Sequence, residues 1–252
     1  MGLTGISSSS PIPRIARQFN PAAGVGLGSG NQRRVVLIGN KLSSGTETVE
    51  TLGAPIRNEQ DIFSRAGRRS ELAWMYRAYA MVDPNAPIYF VAVAENGSAT
   101  AATRQFTFAT NASVDTVLNV DTVKGRFQVS VKSGNTPATQ VAATVAVLNA
   151  DPDLPFTTAI NGTTSKLDAT TSQKGPRAKL WLNQLRMSYD DPTNATTITP
   201  GAVAAGATAD DVTNAITAVD KSEHTYHVIA CTAVSSVTSS DGGVGQYVAY
   251  IN

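Results

Sequence analysis

Charge is scarce in this chain. Its 252 residues carry 20 lysines and arginines against 19 aspartates and glutamates, so only 15% are charged, well short of the usual quarter. The formal net charge of +1 removes the electrostatic case for nucleic acid, an acidic substrate or an anionic membrane surface. Cysteine is almost absent as well: Cys231 stands alone and has no partner for an internal disulfide, which fits synthesis in a reducing compartment. Long hydrophobic runs are missing. The longest strongly apolar stretch, IYFVAVA at 88–94, falls far below the ~20 residues that span a bilayer, so no membrane anchor is expected. The first residues, MGLTGISSSSPIPR, lack a basic segment followed by an apolar one, and Ile6 stands where a myristoylation pattern needs Ser or Thr. Without a secretion signal, the Asn-x-Ser/Thr sequons at Asn96, Asn111, Asn161 and Asn194 read as chance in an Asn- and Thr-rich chain.

What takes the place of charge is Thr, Ala, Ser, Val and Asn, within an ordinary hydrophobic content of 42%. Small, β-tolerant, weakly charged residues suit a protein that buries much of its surface against copies of itself or partners.

The same absences thin out the chemistry. RRVVLIGNKLSSGT at 33–46 resembles a strand opening onto a phosphate loop. A P-loop, however, needs G-x-x-x-x-G-K-[ST], because its lysine must reach the phosphates and its hydroxyl the magnesium. Here five residues separate Gly39 from Gly45, Thr46 follows directly, and Lys41 lies inside the loop. GVGLGSG at 24–30 precedes the strand it would have to follow, so it fails as a dinucleotide fingerprint. His224, His227 and Cys231 could supply zinc ligands, but along a strand His224 points away from the other two, and no further Cys or His exists to complete a structural site. Asp190-Asp191 and Asp210-Asp211 are adjacent carboxylates in turn or cap settings, where Asp is expected for backbone reasons. No Gly-x-Ser-x-Gly elbow occurs. Arg33, Arg34, Arg65, Arg68 and Arg69 lack interleaved aromatics and read as a solvated or subunit-facing patch. No catalytic residue, cofactor-binding residue or metal ligand is assigned, and the chain is not expected to be an enzyme.

Along the chain, residues 1–32 read as an extended N-terminal arm. SSSSPIPR is broken by proline, and residues 24–30 hold four glycines in seven, Gly24, Gly26, Gly28 and Gly30. Between them, Arg14, Ile15, Ala16, Arg17, Gln18 and Phe19 could extend as a strand able to pair with a sheet edge of another molecule, although composition alone also allows a disordered terminus. RVVLIG then reads as a buried strand, followed by a loop. Ser70 caps a helix whose Leu72, Met75, Tyr76, Tyr79 and Val82 recur at helical spacing, and DPNAP turns it into the strand IYFVAVA. Strand, helix and strand with both strands apolar predict a parallel βαβ crossover.

From residue 98 the texture shifts to short alternating strands with Gly and Asn turns. A helix begins at Thr136 and Pro137, with Val141, Val145 and Leu148 as its stripe. Residues 98–178 are therefore taken as a small α+β domain inserted between core parts at 33–97 and 179–252. In the second core part, 177–189 reads as a strand, 208–220 as a helix started by Thr208 or Asp210, and 225–233 as a third core strand. The fold class expected is mixed α+β, with a βαβ-containing core.

The ordered series of segments carries a resemblance. QRRVVLIGNKLSSGT followed by DIFSRAGRRSELAWMYRAYAMVDPNAPIYFVAV resembles the N-terminal core of contractile phage tail sheath proteins of the Mu-like type. KGRFQVSVKSGNTPATQVAATVAVLNADPDLPFTTAI, then TSQKGPRAKL, is similar to that family's β-α-β insertion, and DDVTNAITAVDKSEHTYHVIACTA to the helix and strand that follow. The resemblance spans about residues 10 to 234.

It implies a virion protein made in the bacterial host cytoplasm, a subunit of a contractile injection system that stacks as hexameric rings around a tail tube. Arms add strands to neighbours' sheets, and contraction drives the tube through the host envelope. Residues 14–19 would be the donated strand and 24–30 the arm hinge. The implied partners are further copies of the chain, the tail tube protein, the baseplate and the tail terminator, with no nucleic acid and no cofactor. Family members normally continue through a further core half that ends in a C-terminal arm, which a second polypeptide would have to supply here. Two other readings stay open: a different virion component, a tube, baseplate or decoration subunit, and, behind it, a small enzyme, which would require ligand binding at 39–46 or metal at 224–231.

Overall fold

A computed structural model describes residues 35–162, 164–191, 197–208 and 210–219, with the backbone of 226–229. The arm residues 14–19, the hinge glycines, Arg33, Arg34, His224 and Cys231 lie outside the described residues. The architecture is mixed α+β.

Val35–Asn40 forms β1, buried along its whole length. An alternating strand that is apolar on both faces needs cover on both, and it receives it. Val35 and Leu37 pack with Ile62, Leu72 and Phe90 on one side. Val36 and Ile38 pack with Val91, Val212 and Ile216 on the other. The first face is covered by α1 (Glu59–Ala66) and α2 (Glu71–Val82), the second by α5 (Thr213–Thr217). β2 (Ile88–Val93) and β10 (Tyr226–Ile229) flank β1, both parallel to it, in the order β10-β1-β2. The expected strand-helix-strand crossover is thus present, as is the third core strand within 225–233. The outer edge of β2 is taken up by the preceding loop, where Glu50 N, Gly53 N and Ile56 N donate to the Ala92, Phe90 and Ile88 carbonyls at 2.8, 3.0 and 2.7 Å.

The Ser70 cap holds: its hydroxyl accepts from Ala73 N at 3.1 Å, and the helix ends at Asp83 before Pro84. Val82 departs from the expected stripe; it is 83% exposed beside Met81 at 84%. The loop expected after β1 contains α1, which the sequence reading missed. Its start is a reciprocal cap in which Asp61 N donates to Asn58 Oδ1 at 2.9 Å and Arg57 N donates to Asp61 Oδ2 at 3.0 Å. Its stop is Gly67, at a φ of 93° that favours glycine.

Between β2 and α5 the chain builds antiparallel structure. β3 (Ala101–Phe108), β6 (Phe156–Ile160), β7 (Lys166–Lys174) and β9 (Ile198–Pro200) form one sheet in the order β6-β7-β3-β9. β4 (Thr116–Thr122), β5 (Gly125–Val131) and β8 (Arg186–Tyr189) form another, in the order β5-β4-β8. Both sheets and α3 (Pro137–Asn149) share one apolar cluster that includes Phe106, Leu118, Val129, Leu148, Phe156 and Leu167. α3 starts as expected, with the Thr136 hydroxyl accepting from Thr139 N and Pro137 in its first turn.

Two expectations fail here. Residues 177–189 do not return to the parallel sheet: Pro176–Ala178 is a tight helical turn, Lys179–Asn183 is helix α4, and only β8 is a strand, which pairs antiparallel with β4. The helix expected over 208–220 shrinks to the five residues of α5, with Val212 at its cap position and no side-chain cap bond. Neither Thr208 nor Asp210 starts it, because the Asp210 carboxylate is drawn elsewhere.

Candidate functional site

Open sheets with helices on both faces bind ligands beyond the carboxyl ends of their strands, where the strand order reverses. In β10-β1-β2 that point falls at the end of β1, on the loop at 39–46 that resembles a phosphate cradle. Most of its amides are spent within the chain. Lys41 N donates to Val93 O, Leu42 N to Ala66 O, Gly45 N to Leu42 O and Thr46 N to Ser64 O, at 2.9–3.3 Å. Lys41 Nζ turns back onto Gly45 O at 2.9 Å. The nearby start of α2, the end of a helix that attracts anions, already carries an anion of its own: Glu71, 5% exposed, whose carboxylate accepts the Asn40 N–H. The amides of Asn40, Lys41, Leu42, Gly45 and Thr46 and the Lys41 ammonium are thus all bonded within the chain.

What converges here is a set of carboxylates tying the parallel sheet to the antiparallel ones. Glu71 Oε1 pairs with Arg177 Nη1 at 3.0 Å, and Glu71 N donates to Gln173 Oε1 at 2.9 Å. Glu95, just past β2, accepts Lys174 N at 2.9 Å. Asp210 accepts from the Asn40 side chain and from Asn96 N, bridging β1 and the segment that leaves β2. Burial pushes the Glu71 carboxyl above its ordinary range; Arg177 and the Asn40 amide oppose that shift, and the nearby Asp210 adds to it. Burial raises Glu95 likewise, against Lys174 and with Asp210.

A second set of bonds ties the same layers together further along α2. Arg68 and Arg77 both reach Asp153, Arg77 at 3.0 Å, and Lys124 reaches Asp151 and Asp153 at 2.6 and 3.2 Å. Arg69 Nε donates to Pro152 O at 3.0 Å. Burial works against the charge on Asp153, but its bonds from Arg68, Arg77 and Lys124 outweigh this and hold the carboxyl well below the usual range. Between the two sets, the rings of Trp74 and Trp181 meet at 5.6 Å.

The described arginines of the patch, Arg65, Arg68 and Arg69, each have a partner within the chain, although Arg68 is about half exposed. Arg68 and Arg69 bind Asp153 and Pro152, while Arg65 pairs with Glu47 at 2.6 Å and lies 4.5 Å over the Phe90 ring. The adjacent aspartates separate in role. Asp190 and Asp191 sit in the turn after β8, Asp190 accepting from the Asn119 side chain, whereas Asp210 is a buried cross-link. His227 is placed only by its backbone, opposite Val36 in β10. Among the described residues no group of three or more His, Cys, Asp and Glu is placed to hold a metal ion, and no helix is long and apolar enough to cross a membrane.

The sequence reading did not anticipate Glu71, Glu95, Gln173 or Arg177 as a set. The one local signal was a carboxylate in the first turn after a Ser cap, which is ordinary at any helix start. No protein-family model and no curated protein matches the chain.

Proposed function

We propose that the chain is a structural subunit of a contractile bacteriophage tail sheath. It stacks as hexameric rings around the tail tube, and the assembly contracts to drive the tube through the host envelope. The observation that carries this reading is the interrupted parallel sheet. β1, β2 and β10 lie side by side, while the residues between β2 and α5 build two antiparallel sheets of their own. That is the order of parts in which the sheath resemblance runs: a core, an insertion and a return to the core.

In this reading the inserted unit, read from sequence as 98–178, continues through β8 and β9 to residue 200, since both strands pair with its sheets. Residues 1–32 are the arm, with 14–19 as the strand given to a neighbour. Support also comes from how the polar groups at the ligand-binding end of the sheet are used, in bonds between layers. A sheath subunit does its work by switching between two packings, so it needs stiff bodies and movable joints rather than bond chemistry. Its partners are further copies, the tail tube protein, the baseplate and the tail terminator, and its place is the virion.

Deleting residues 1–30 is expected to leave a folded monomer with unchanged circular dichroism that no longer joins rings under the electron microscope. Normal polymerisation of the deletion sinks the arm assignment.

A further inference from the structure

A strand at the edge of a sheet offers a row of main-chain N–H and C=O groups to any chain that can pair with it, and folds usually close such rows. This chain closes several of its own. The outer edge of β2 is bonded to the loop that precedes α1. In the middle of β6 the Asn149 carboxamide stands in for a neighbouring strand. Its Nδ2 donates to Thr158 O at 2.7 Å, and its Oδ1 accepts Thr158 N at 3.0 Å. β8 and β9 are four and three residues long, and β9 ends in Pro200. β5 differs. It runs for seven residues, Gly125–Val131, on the outer side of the order β5-β4-β8.

The ladder shows which groups of β5 face outward, because main-chain bonds alternate sides along an antiparallel strand. Val117 O accepts Asp190 N at 2.9 Å on the β8 side of β4. Ser130, which lies opposite Val117, therefore turns its own N–H and C=O away from β4, and Gln128 and Arg126 do the same. All three residues are exposed, and these groups bond to no other described residue. The alternate side chains face the interior: Val129 and Val131 are buried, and Phe127 packs half-buried against the same apolar cluster. At one end the edge meets an open cleft of about 340 Å³, walled by Phe127, Val147 of α3 and Pro152. The cations along the edge are engaged within the chain, Arg126 by Asp121 at 2.7 Å, Lys124 by Asp151 at 2.6 Å and Lys132 by Asp115 at 3.2 Å. An accessible edge strand beside an apolar cleft is an arrangement that takes up an extended peptide.

The chain carries a stretch of matching length. Pro13 and Pro21, which cannot donate to a ladder, bound RIARQFN, seven residues against the seven of β5. Alternation sets Ile15 and Phe19 on one face of that stretch, and Ala16 and Gln18 on the other. We propose that the outer edge of β5 receives residues 14–20 of a second copy as an added strand. Ile15 and Phe19 lie on the side of Phe127 and Val131, where they extend the apolar face and reach the cleft. Arg17, between them, covers apolar surface with its stem. Ala16 and Gln18 lie on the side of Gln128, and neither is a proline, so both donate to the ladder. The inference rests on the reading of 14–19 as a donated strand and adds where that strand is received.

The test is disulfide trapping in the full chain, with Cys231→Ser removing the native thiol. Residues that exchange bonds across an antiparallel pair lie about 5.5 Å apart at Cα, within disulfide reach. Gln128→Cys with Ala16→Cys (a parallel strand) or with Gln18→Cys (an antiparallel one) is expected to give reducible multimers on a denaturing gel. Gln128→Cys with Arg17→Cys, whose side chain lies on the opposite face, is expected to give none. Equal yields from all three combinations, or multimers from none, overturn the proposal. Gln128→Pro is the second variant. The N–H it removes faces away from β4, so the hairpin keeps its ladder and its melting temperature. Rings are expected to be lost from it, as from the deletion of residues 1–30. Rings undiminished by Gln128→Pro refute β5 as the receiving edge and leave the arm reading in place. Rings undiminished by the deletion remove the arm reading, and this inference with it.

Discussion

Gly206→Ala is expected to destabilise the chain by about 3 kcal/mol, whereas Gly97→Ala, in the segment after β2, is expected to cost nothing. A Cβ at position 206 would sit 2.3 Å from the Thr100 carbonyl oxygen and 2.5 Å from that of Gly175. Both obstacles are backbone, so relief requires the segment around Gly206 to move away from Thr100 and Gly175. That movement breaks the Thr100–Ala207 and Gly175–Thr100 bonds beside it. At Gly97 a Cβ meets nothing within 4 Å, and alanine there only narrows the unfolded ensemble. Urea melts of the two variants, made side by side, check the contrast. Equal stability of both would mean that the close approach of Gly206 to Thr100 and Gly175 does not hold the fold at this point.

Asp153→Ala is expected to cost about 2 kcal/mol and lower the melting temperature by about 5 °C. One carboxylate here serves Arg68, Arg77 and Lys124, which come from α2, the residues before it and the β4–β5 turn. Its removal leaves Arg77, a mostly buried side chain, with Glu59 and the rings of Phe63 and Trp74 for company. The figure lies below that of a fully buried pair because Arg68 and Lys124 reach solvent. Arg126→Ala, which breaks an exposed pair with Asp121, is the control and should leave the melting temperature where it was. The folded state holds Asp153 below the ordinary range, so its stabilisation is complete above about pH 4 and lost as pH falls below that. The Asp153→Ala variant should lose less stability than wild type on strong acidification. Calorimetry between pH 2 and pH 5 measures it.

What was legible in the sequence was local. The apolar runs at 35–38 and 88–93, the Ser70 and Thr136 caps, Pro137 and the Gly- and Asn-rich hairpin turns all act over a few residues, and each produced the element expected of it. α1 was missed because eight residues offer only Ile62 and Ala66 as buried positions, too short a stripe to stand out, although Asn58, Asp61 and Gly67 marked both its ends. The span 177–189 misled because Leu180, Leu182 and Leu185 fall near alternation, while Leu180 is in fact about half exposed on a short helix. α5 starts late: Asp210 bonds across the fold instead of capping it. The carboxylate contacts beyond β1 and β2 could not be read at all: Asn40 meets Asp210 across 170 residues, Asn96 meets it across 114, and Lys174 meets Glu95 across 79. Pairings of that span leave no spacing in the sequence, and only the topology brings them together.

The central claim is that this chain is built to assemble. The most direct test is negative-stain electron microscopy of the purified 252-residue chain, alone and mixed with the product of the next reading frame. Hollow tubes with six-fold rings in either sample are the expected result. Monodisperse monomers in both would contradict the sheath assignment and move the chain to another part of the virion.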